Sequence, residues 1–304
     1  MKTELKGGCF VLDPEVHKPG QLRCVIGREF GAKCLSQHLL DLLGASSPVY
    51  AFGDSDVILF AVRGCAKVIV SGKVFEMPPE SGLYIRPEEA FQITPSPHPS
   101  PSEGRGGKKE ISHETPSPQS SPARGDGVKR IPSPSMGEEV QESTKSNTLS
   151  LDGRGKGEGD PLIRILITVC PEGNGAKVLG AMPDNFDGGF PERVVEVDSS
   201  KKEAMGERFF QVLVSKGVGS AQVTQFIGEI PLSKAPSHFH LYEEALYVLS
   251  GEGLIGTEDQ ISAVKAGSII FLPKRQQHSL ECTSKSGLRV AGHFTPAGSP
   301  AENY

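Results

Sequence analysis

Short runs of apolar residues, interrupted by glycine, proline and aspartate, recur in both halves of the chain. Examples from the second half are FFQVLV, ALYVL, GSIIFLP and LRVAGHF. β-Branched and aromatic residues are frequent in these runs, and turn residues separate them at intervals of about 8–12 residues, which is typical of short antiparallel strands. The pattern predicts an all-β protein built as a barrel or a sandwich.

The two halves of the chain share an internal repeat. IRILITVCPEG (163–173) is similar to LRVAGHFTPAG (288–298), with Arg, Pro and Gly in register. SQHLLDLL (36–43) can likewise be aligned with TQFIGEIP (224–231). Taken alone, SQHLLDLL has the leucine content and spacing of a helix. Because its repeat partner has the pattern of a strand, we predict a strand at this position and two similar β-domains in the chain.

A block rich in proline and serine interrupts the first half at about residues 94–160. It has too few large apolar side chains to offset the entropy lost on ordering, so we predict a disordered insertion. The chain is then expected to divide into an N-terminal β-domain with this insertion (1–180), a linker rich in glycine, proline and aspartate (181–207) and a C-terminal β-domain (208–304). A short helix is expected near SSKKEAMGERF in the linker.

Charge and composition are those expected of a soluble protein. The 304 residues carry a formal net charge of −5, which provides no electrostatic basis for binding nucleic acid or an anionic membrane. No apolar run approaches the roughly 18–20 residues of a membrane span, and the N-terminus lacks the apolar segment of a secretion signal. The six cysteines include no CxxC pair and are expected to be free thiols. We therefore expect a cytoplasmic protein without nucleic-acid or membrane partners.

Histidine and glutamate occur together in SHFHLYEEALYVLSG (237–251), which otherwise has the pattern of a buried strand. His238 and His240 are two residues apart and therefore project to the same face, and Glu244 has the same parity. His278 follows a later strand and its proline stop. Three imidazoles and one carboxylate that converge inside a small barrel are suitable ligands for Mn, Fe, Ni, Cu or Zn.

These residues match the two motifs of the cupin superfamily, which the chain resembles. The first motif, G…HxHx3–4Ex6G, is matched by His238, His240, Glu244 and Gly251. The second motif, Gx5PxGx2Hx3N, is matched by Gly267, Pro273 and His278, whereas Arg275 replaces the motif glycine. The resemblance covers residues 224–298 and extends more weakly over the N-terminal half.

The resemblance implies a bicupin, with two small antiparallel jelly-roll barrels and a metal in the second barrel only. The first barrel lacks the ligands, and two registers are open for the residues in their places: Tyr50, Phe52 and Asp56, or Ala51, Gly53 and Val57. The segment RPEEAFQI has no histidine to match His278. One divalent transition metal per chain is expected, with Mn or Fe as first choices and Ni, Cu or Zn as alternatives. The barrel pair is expected either as a monomer or within a homo-oligomer.

Further residues are candidates for the pocket or its surroundings. His293, in VAGHFTP, is expected either to line the metal cavity or to be a satisfied residue of the core or the surface. Arg275, Gln276 and Gln277 lie on the loop that presents His278 and are expected either to meet a polar or anionic substrate at the barrel mouth or to be solvated.

Three other residues are expected to have structural roles. Tyr247 has the opposite parity from the ligands and should face away from the cavity. Arg164 and Arg289 occur at matched positions of the repeat, which indicates a structural role at a barrel end.

The motifs favour a metal-dependent enzyme that acts on a small polar organic substrate, of the dioxygenase, decarboxylase, isomerase or lyase type. A metal with four protein ligands and an octahedral preference keeps about two open positions for water, dioxygen or a chelating substrate. The alternatives are a non-catalytic cupin that binds a small ligand and a structural bicupin. No catalytic residue can be assigned from the sequence.

Overall fold

Twenty-two strands run through the residues that the computed structural model describes, which are 1–14, 18–96, 162–173, 175–302 and Tyr304. The first eleven are β1 (Lys2–Glu4), β2 (Phe10–Leu12), β3 (Leu22–Ile26), β4 (Ser36–Leu43), β5 (Val49–Ala51), β6 (Asp56–Arg63), β7 (Ala66–Val70), β8 (Lys73–Met77), β9 (Ser81–Ile85), β10 (Ala90–Pro95) and β11 (Leu162–Cys170). The other eleven are β12 (Lys177–Leu179), β13 (Val194–Glu196), β14 (Glu203–Met205), β15 (Arg208–Val214), β16 (Thr224–Ile230), β17 (Glu243–Ser250), β18 (Glu252–Thr257), β19 (Gln260–Lys265), β20 (Ile269–Leu272), β21 (Ser279–Cys282) and β22 (Leu288–Thr295).

The helices among the described residues are four 3-10 turns of three residues each: Lys6–Gly8, Arg28–Phe30, Ser199–Lys201 and Lys216–Val218. None of them has the length and apolar character of a membrane-spanning helix. The turn Ser199–Lys201 lies in the linker segment where a short helix is predicted. SQHLLDLL forms β4, which confirms the strand predicted from the repeat. The predicted insertion lies outside the described residues, apart from its first residues at the end of β10.

The strands form two antiparallel barrels, as predicted. The N-terminal barrel contains a six-stranded sheet, in the order β13-β9-β6-β11-β4-β3, and a five-stranded sheet, in the order β12-β5-β10-β7-β8. The C-terminal barrel contains an eight-stranded sheet, in the order β1-β2-β20-β17-β22-β16-β15-β14, and a three-stranded sheet, in the order β19-β18-β21.

Each barrel receives a strand from outside its own half of the repeat. The N-terminal arm adds β1 and β2 to the C-terminal barrel, where Phe10 lies opposite Phe271 of β20. The predicted linker in turn adds β13 to the N-terminal barrel, where Val194 lies opposite Leu83 of β9. The division into domains at residues 180 and 208 stays a prediction, and the strand pairing crosses it in both directions.

Both faces of the central strands are buried, which explains their nearly continuous apolar sequences. In β17, Leu246 and Val248 pack in the interior of the C-terminal barrel. Ala245 and Tyr247 face the opposite way, into a third core that includes side chains of both barrels. A strand covered on both faces shows no alternation of polar and apolar residues. Tyr247 therefore faces away from the cavity, as its parity predicts.

The two matched arginines connect the barrels. Arg289 donates hydrogen bonds of 2.7 Å to each carboxylate oxygen of Glu80, which lies in the other half of the chain. Arg164 forms a two-point ion pair with Asp41, at 2.7 and 2.8 Å, and donates to the Tyr247 hydroxyl at 3.4 Å. The repeated Arg thus has a structural role in each half, and it acts between the barrels.

We expect Phe271→Ala to destabilise the whole protein, because Phe271 is 0 % exposed and packs against Phe10 of the N-terminal arm at 5.3 Å between ring centroids. Removing a buried phenylalanine side chain costs about 3–5 kcal/mol. The matched control is Ile261→Ala in β19, where the side chain is 64 % exposed and the cost should stay within about 0.5 kcal/mol. Urea unfolding measures the free energy of unfolding of both variants. Equal decreases in the two variants would contradict the importance of the contact between Phe271 and Phe10.

Candidate metal centre

Three imidazoles converge at one end of the C-terminal barrel. His238 and His240 lie in the extended segment that leads into β17, and His278 lies between β20 and β21. Reciprocal backbone hydrogen bonds of 3.0 and 2.9 Å join His238 and His278. One ring nitrogen from each of the three histidines lies within 4.8 Å of the others. The structure therefore brings together the three histidines that the sequence predicts as ligands.

Each imidazole is oriented by a backbone carbonyl that accepts a hydrogen bond from Nδ1. The acceptors are Pro236 O for His238 at 2.8 Å, Glu302 O for His240 at 3.0 Å and Gln276 O for His278 at 2.9 Å. A carbonyl can only accept, so Nδ1 carries the hydrogen and Nε2 keeps its lone pair. This is the arrangement that orients histidine ligands of metals.

Burial keeps the three rings neutral. It lowers the pKa of His240 to about 4 and that of His278 to about 3. The pKa of the more exposed His238 is also lowered, again mainly by burial. Neutral imidazole is the form that binds a metal ion.

Glu244 lies beside the three histidines on β17. Its side chain faces the barrel interior, is almost fully buried and has Oε2 at 3.6 Å from Nε2 of His240. Burial raises the pKa of Glu244 to about 8. A buried carboxylate without a neighbouring cation is costly, so this position favours a positive charge close by.

The four side chains line a cavity of about 80 Å³ inside the barrel. Most of the remaining wall is apolar and includes Phe210, Phe226, Leu246, Ile255, Leu272, Leu280 and Val290. Polar groups come from Arg208 and Tyr242. The space accommodates a few water molecules or a small organic molecule.

The loop residues Arg275, Gln276 and Gln277 do not line this cavity. The backbone of the loop has a different role, because Arg275 N donates to His240 O at 2.7 Å. Arg275 has a φ of 63°, a left-handed conformation that glycine adopts without strain. The turn of the second motif is therefore retained, although an arginine occupies the glycine position.

His293 lies between the barrels and does not line the cavity. It is 0 % exposed, and its Nδ1 lies 3.5 Å from Nε2 of Gln37. Gln37 also donates to Thr168 at 3.2 Å. Nε2 of His293 and both polar atoms of the Gln225 amide have no hydrogen-bond partner among the described residues. His293 is thus part of a buried polar group in the core between the barrels.

The corresponding region of the N-terminal barrel has lost the carboxylate. Asp56 lies opposite Cys170 in the same way that Glu243 lies opposite Thr295. Cys170 and Thr295 are matched in the repeat, so Asp56 corresponds to Glu243. The next residue, Val57, therefore occupies the place of Glu244.

Aromatic side chains occupy the places of the histidines. Tyr50 lies opposite Phe91, as His238 lies opposite His278. Phe52, two residues after Tyr50, corresponds to His240, and its ring stacks on Phe91 at 6.2 Å between centroids. The register with Tyr50 and Phe52 is therefore correct for the two histidine positions, and the register with Val57 is correct for the Glu244 position. The two registers combine because Val57 follows Phe52 by five residues, whereas Glu244 follows His240 by four.

Sequence reasoning did not identify three contributors to the site. Tyr242 stacks on the His240 ring at 4.5 Å between centroids. It lies two residues after His240, and this spacing could have predicted that both side chains share a face. Glu302 supplies a backbone carbonyl, which no side-chain pattern indicates. Arg208 begins β15, and no motif includes it.

Comparison with known proteins supports the cupin resemblance. A sequence model of the cupin domain matches residues 230–292, which contain His238, His240, Glu244 and His278. No curated protein sequence matches the chain.

Among solved structures, the protein Ylba from E. coli has a TM-score of 0.58 at 12% identity, covering 98% of this chain and 95% of that chain. The salicylate 1,2-dioxygenase from Pseudaminobacter salicylatoxidans has a TM-score of 0.56 at 9% identity, covering 91% and 76%. The oxalate decarboxylase from Lactobacillus farciminis has a TM-score of 0.56 at 12% identity, covering 94% and 84%. These likenesses extend over both barrels and concern the fold.

We expect Arg275→Gly to leave the protein as stable as before or more stable by up to about 1 kcal/mol, because glycine relieves the left-handed strain at a φ of 63°. Arg275→Val should destabilise by about 1–2 kcal/mol, because a β-branched residue is an outlier in this conformation. Thermal unfolding of the two variants tests this difference. Equal midpoints would show that the left-handed turn does not constrain residue 275.

Proposed function

We propose that this chain, a two-barrel cupin whose cupin domain spans residues 230–292, binds one divalent transition metal in its C-terminal barrel and is a metal-dependent enzyme. His238, His240, His278 and Glu244 are the proposed ligands, and the substrate is a small polar organic molecule. The observation that carries the proposal is the convergence of three neutral imidazoles whose ring nitrogens lie within 4.8 Å of one another.

The residues fit a metal ion in charge as well as in position. Three imidazoles supply neutral nitrogen donors, and Glu244 supplies a buried carboxyl group whose ionised form has no cationic partner among the described residues; its Oε2 lies 3.6 Å from Nε2 of the neutral His240. A divalent cation would offset the cost of burying that carboxylate. Imidazole and carboxylate donors are compatible with Mn and Fe, our first choices, and with Ni, Cu and Zn.

The chain's own residues suit the site for chemistry on a small substrate. When bound, such an ion polarises a coordinated oxygen or lowers the pKa of bound water. The histidines hold the site, and their carbonyl partners fix the ring orientation. The wall around the site is largely apolar, and Glu244 can either bind the ion or hold a proton beside it. Salicylate dioxygenase and oxalate decarboxylase share the two-barrel fold at 9% and 12% identity, which supports the reaction classes only by analogy.

Elemental analysis of the purified protein tests the metal proposal. We expect close to one equivalent of Mn, Fe, Ni, Cu or Zn per chain, and its loss in His240→Ala. The control is His38→Gln, because His38 is a buried histidine of the N-terminal barrel outside the group of three. A wild-type protein without metal, even after reconstitution, would contradict the proposal.

Turnover separates the enzyme from a non-catalytic binding protein. Oxygen consumption and loss of substrate should be measured with a panel of small organic acids, diketones and enediols, with His240→Ala as the inactive reference. We expect turnover that requires His240. Ligands that stabilise the metal-loaded protein against heat without being consumed would instead support the binding role.

We further expect deletion of residues 299–304 to weaken metal binding by about 10- to 100-fold, the usual effect of losing a partner that orients a ligand. The deletion removes the Glu302 carbonyl that accepts from His240. Tyr304→Ala is the matched control, since it loses only the ring contact with Phe239 at 5.9 Å and keeps that carbonyl. Competition with a metal chelator measures both affinities, and an unchanged affinity after deletion would refute a role for the tail.

A further inference from the structure

Arg208 lies where the metal cavity meets a second depression on the barrel surface. It lines the cavity of about 80 Å³ and also an adjoining cleft of about 300 Å³. Met205 and His238 are the other residues shared by the two spaces. Arg208 therefore borders both the space beside the histidines and the cleft at the surface.

The guanidinium of Arg208 has no carboxylate partner among the described residues. The side chain is half-buried, and its Nη2 donates a hydrogen bond of 2.6 Å to Leu280 O. By contrast, Arg164, Arg193 and Arg289 each form an ion pair with an aspartate or a glutamate. Arginine remains charged in proteins and has five N–H donors. Arg208 thus combines a positive charge with N–H donors that have no further hydrogen-bond acceptor among the described residues.

Arg208 and Lys234 are the two side chains of permanent positive charge that line the cleft. Lys234, the other cation of the cleft, lies 3.5 Å from Glu281. Arg208 is therefore the better candidate for attracting an anion to this site.

The N-terminal barrel lacks this cation together with the histidines. Phe210 lies opposite Gly228 in β16, and Leu22 lies opposite Leu40 in β4. Because Gly228 and Leu40 are matched in the repeat, Leu22 corresponds to Phe210. Counting back two residues places Gly20 at the position of Arg208.

We propose that Arg208 binds the carboxylate group of the ligand, so that this site takes small organic acids. This inference rests on the proposed function, because it assigns a ligand class to the same site. Guanidinium matches carboxylate with two parallel hydrogen bonds. A cavity of about 80 Å³ with apolar walls limits the acid to a few heavy atoms, and the carboxylate is its anchor at the cavity entrance.

The test compares carboxylates with their neutral amides on the metal-loaded full-length chain. Acetate, glycolate and pyruvate are titrated against acetamide, glycolamide and pyruvamide, with binding followed by calorimetry and by the shift in unfolding temperature. We expect wild type to bind at least one of the acids and to bind the matching amide at least 10-fold more weakly. Failure of all three acids to bind, or equal affinity for an acid and its amide, would overturn the inference.

Variants then assign the effect to Arg208. Arg208→Gln should raise the dissociation constant of the acid by about 10- to 100-fold, and Arg208→Lys by a smaller factor, because lysine keeps the charge but lacks the planar fork. Arg63→Gln is the control, since Arg63 is exposed on β6. Unfolding temperatures without ligand show whether each variant is folded, and Arg208→Lys provides the measurement if the glutamine variant is not.

Metal content and binding to metal-free protein separate this inference from the proposed function. If the protein holds near one equivalent of metal and the acid has the same dissociation constant in wild type and in Arg208→Gln, the role of Arg208 is wrong and the metal proposal stands. Wild type without metal, but with acid binding that depends on Arg208, would overturn the metal proposal and leave the role of Arg208 standing.

Discussion

Burial of β17 on both faces is the constraint on which the rest of the structure depends. Ala245 and Tyr247 pack in the core between the barrels, so Glu244 and Leu246 must face the interior of the C-terminal barrel. A slip of one residue would reverse every side chain of the strand. It would turn Glu244 away from the histidines and place Tyr247 among them. The packing that joins the two barrels therefore also sets the register of the candidate metal centre.

The same scaffold carries two different interiors. In the N-terminal barrel, Tyr50, Phe52 and Phe91 pack as aromatic rings where the C-terminal barrel has His238, His240 and His278. Aromatic rings stabilise a core by burial and by stacking. Buried imidazoles and a carboxylate contribute less unless something satisfies them. The N-terminal barrel thus has the composition of a packing domain, and it supports its partner through the shared core and through the Glu80–Arg289 ion pair.

Burying polar side chains in the C-terminal barrel costs free energy, and hydrogen bonds from nearby backbone groups offset part of that cost. Backbone carbonyls from the segment before His238, from the loop before His278 and from the C-terminal tail each accept a hydrogen bond from one ring. Glu244 has no comparable partner among the described residues, and burial raises its pKa to about 8. Natural proteins tend to break local packing rules at functional sites. This imbalance is the physical reason for assigning the function to this barrel.

Local sequence patterns determined the fold class and most of the candidate metal ligands. Strand periodicity and turn residues indicated an all-β fold, the repeat identified β4 as a strand despite its helical composition, and the spacing of His238, His240 and His278 selected the residues that converge. These signals are local, or are repeated along the chain, so one sequence contains them. Tertiary structure decided what depends on pairing across the chain: the exchange of β2 and β13 between barrels, the position of His293 in the shared core, and the presence of Arg208 and the Glu302 carbonyl at the site. Such contacts join segments that are distant in sequence, and no local pattern records which segments will meet.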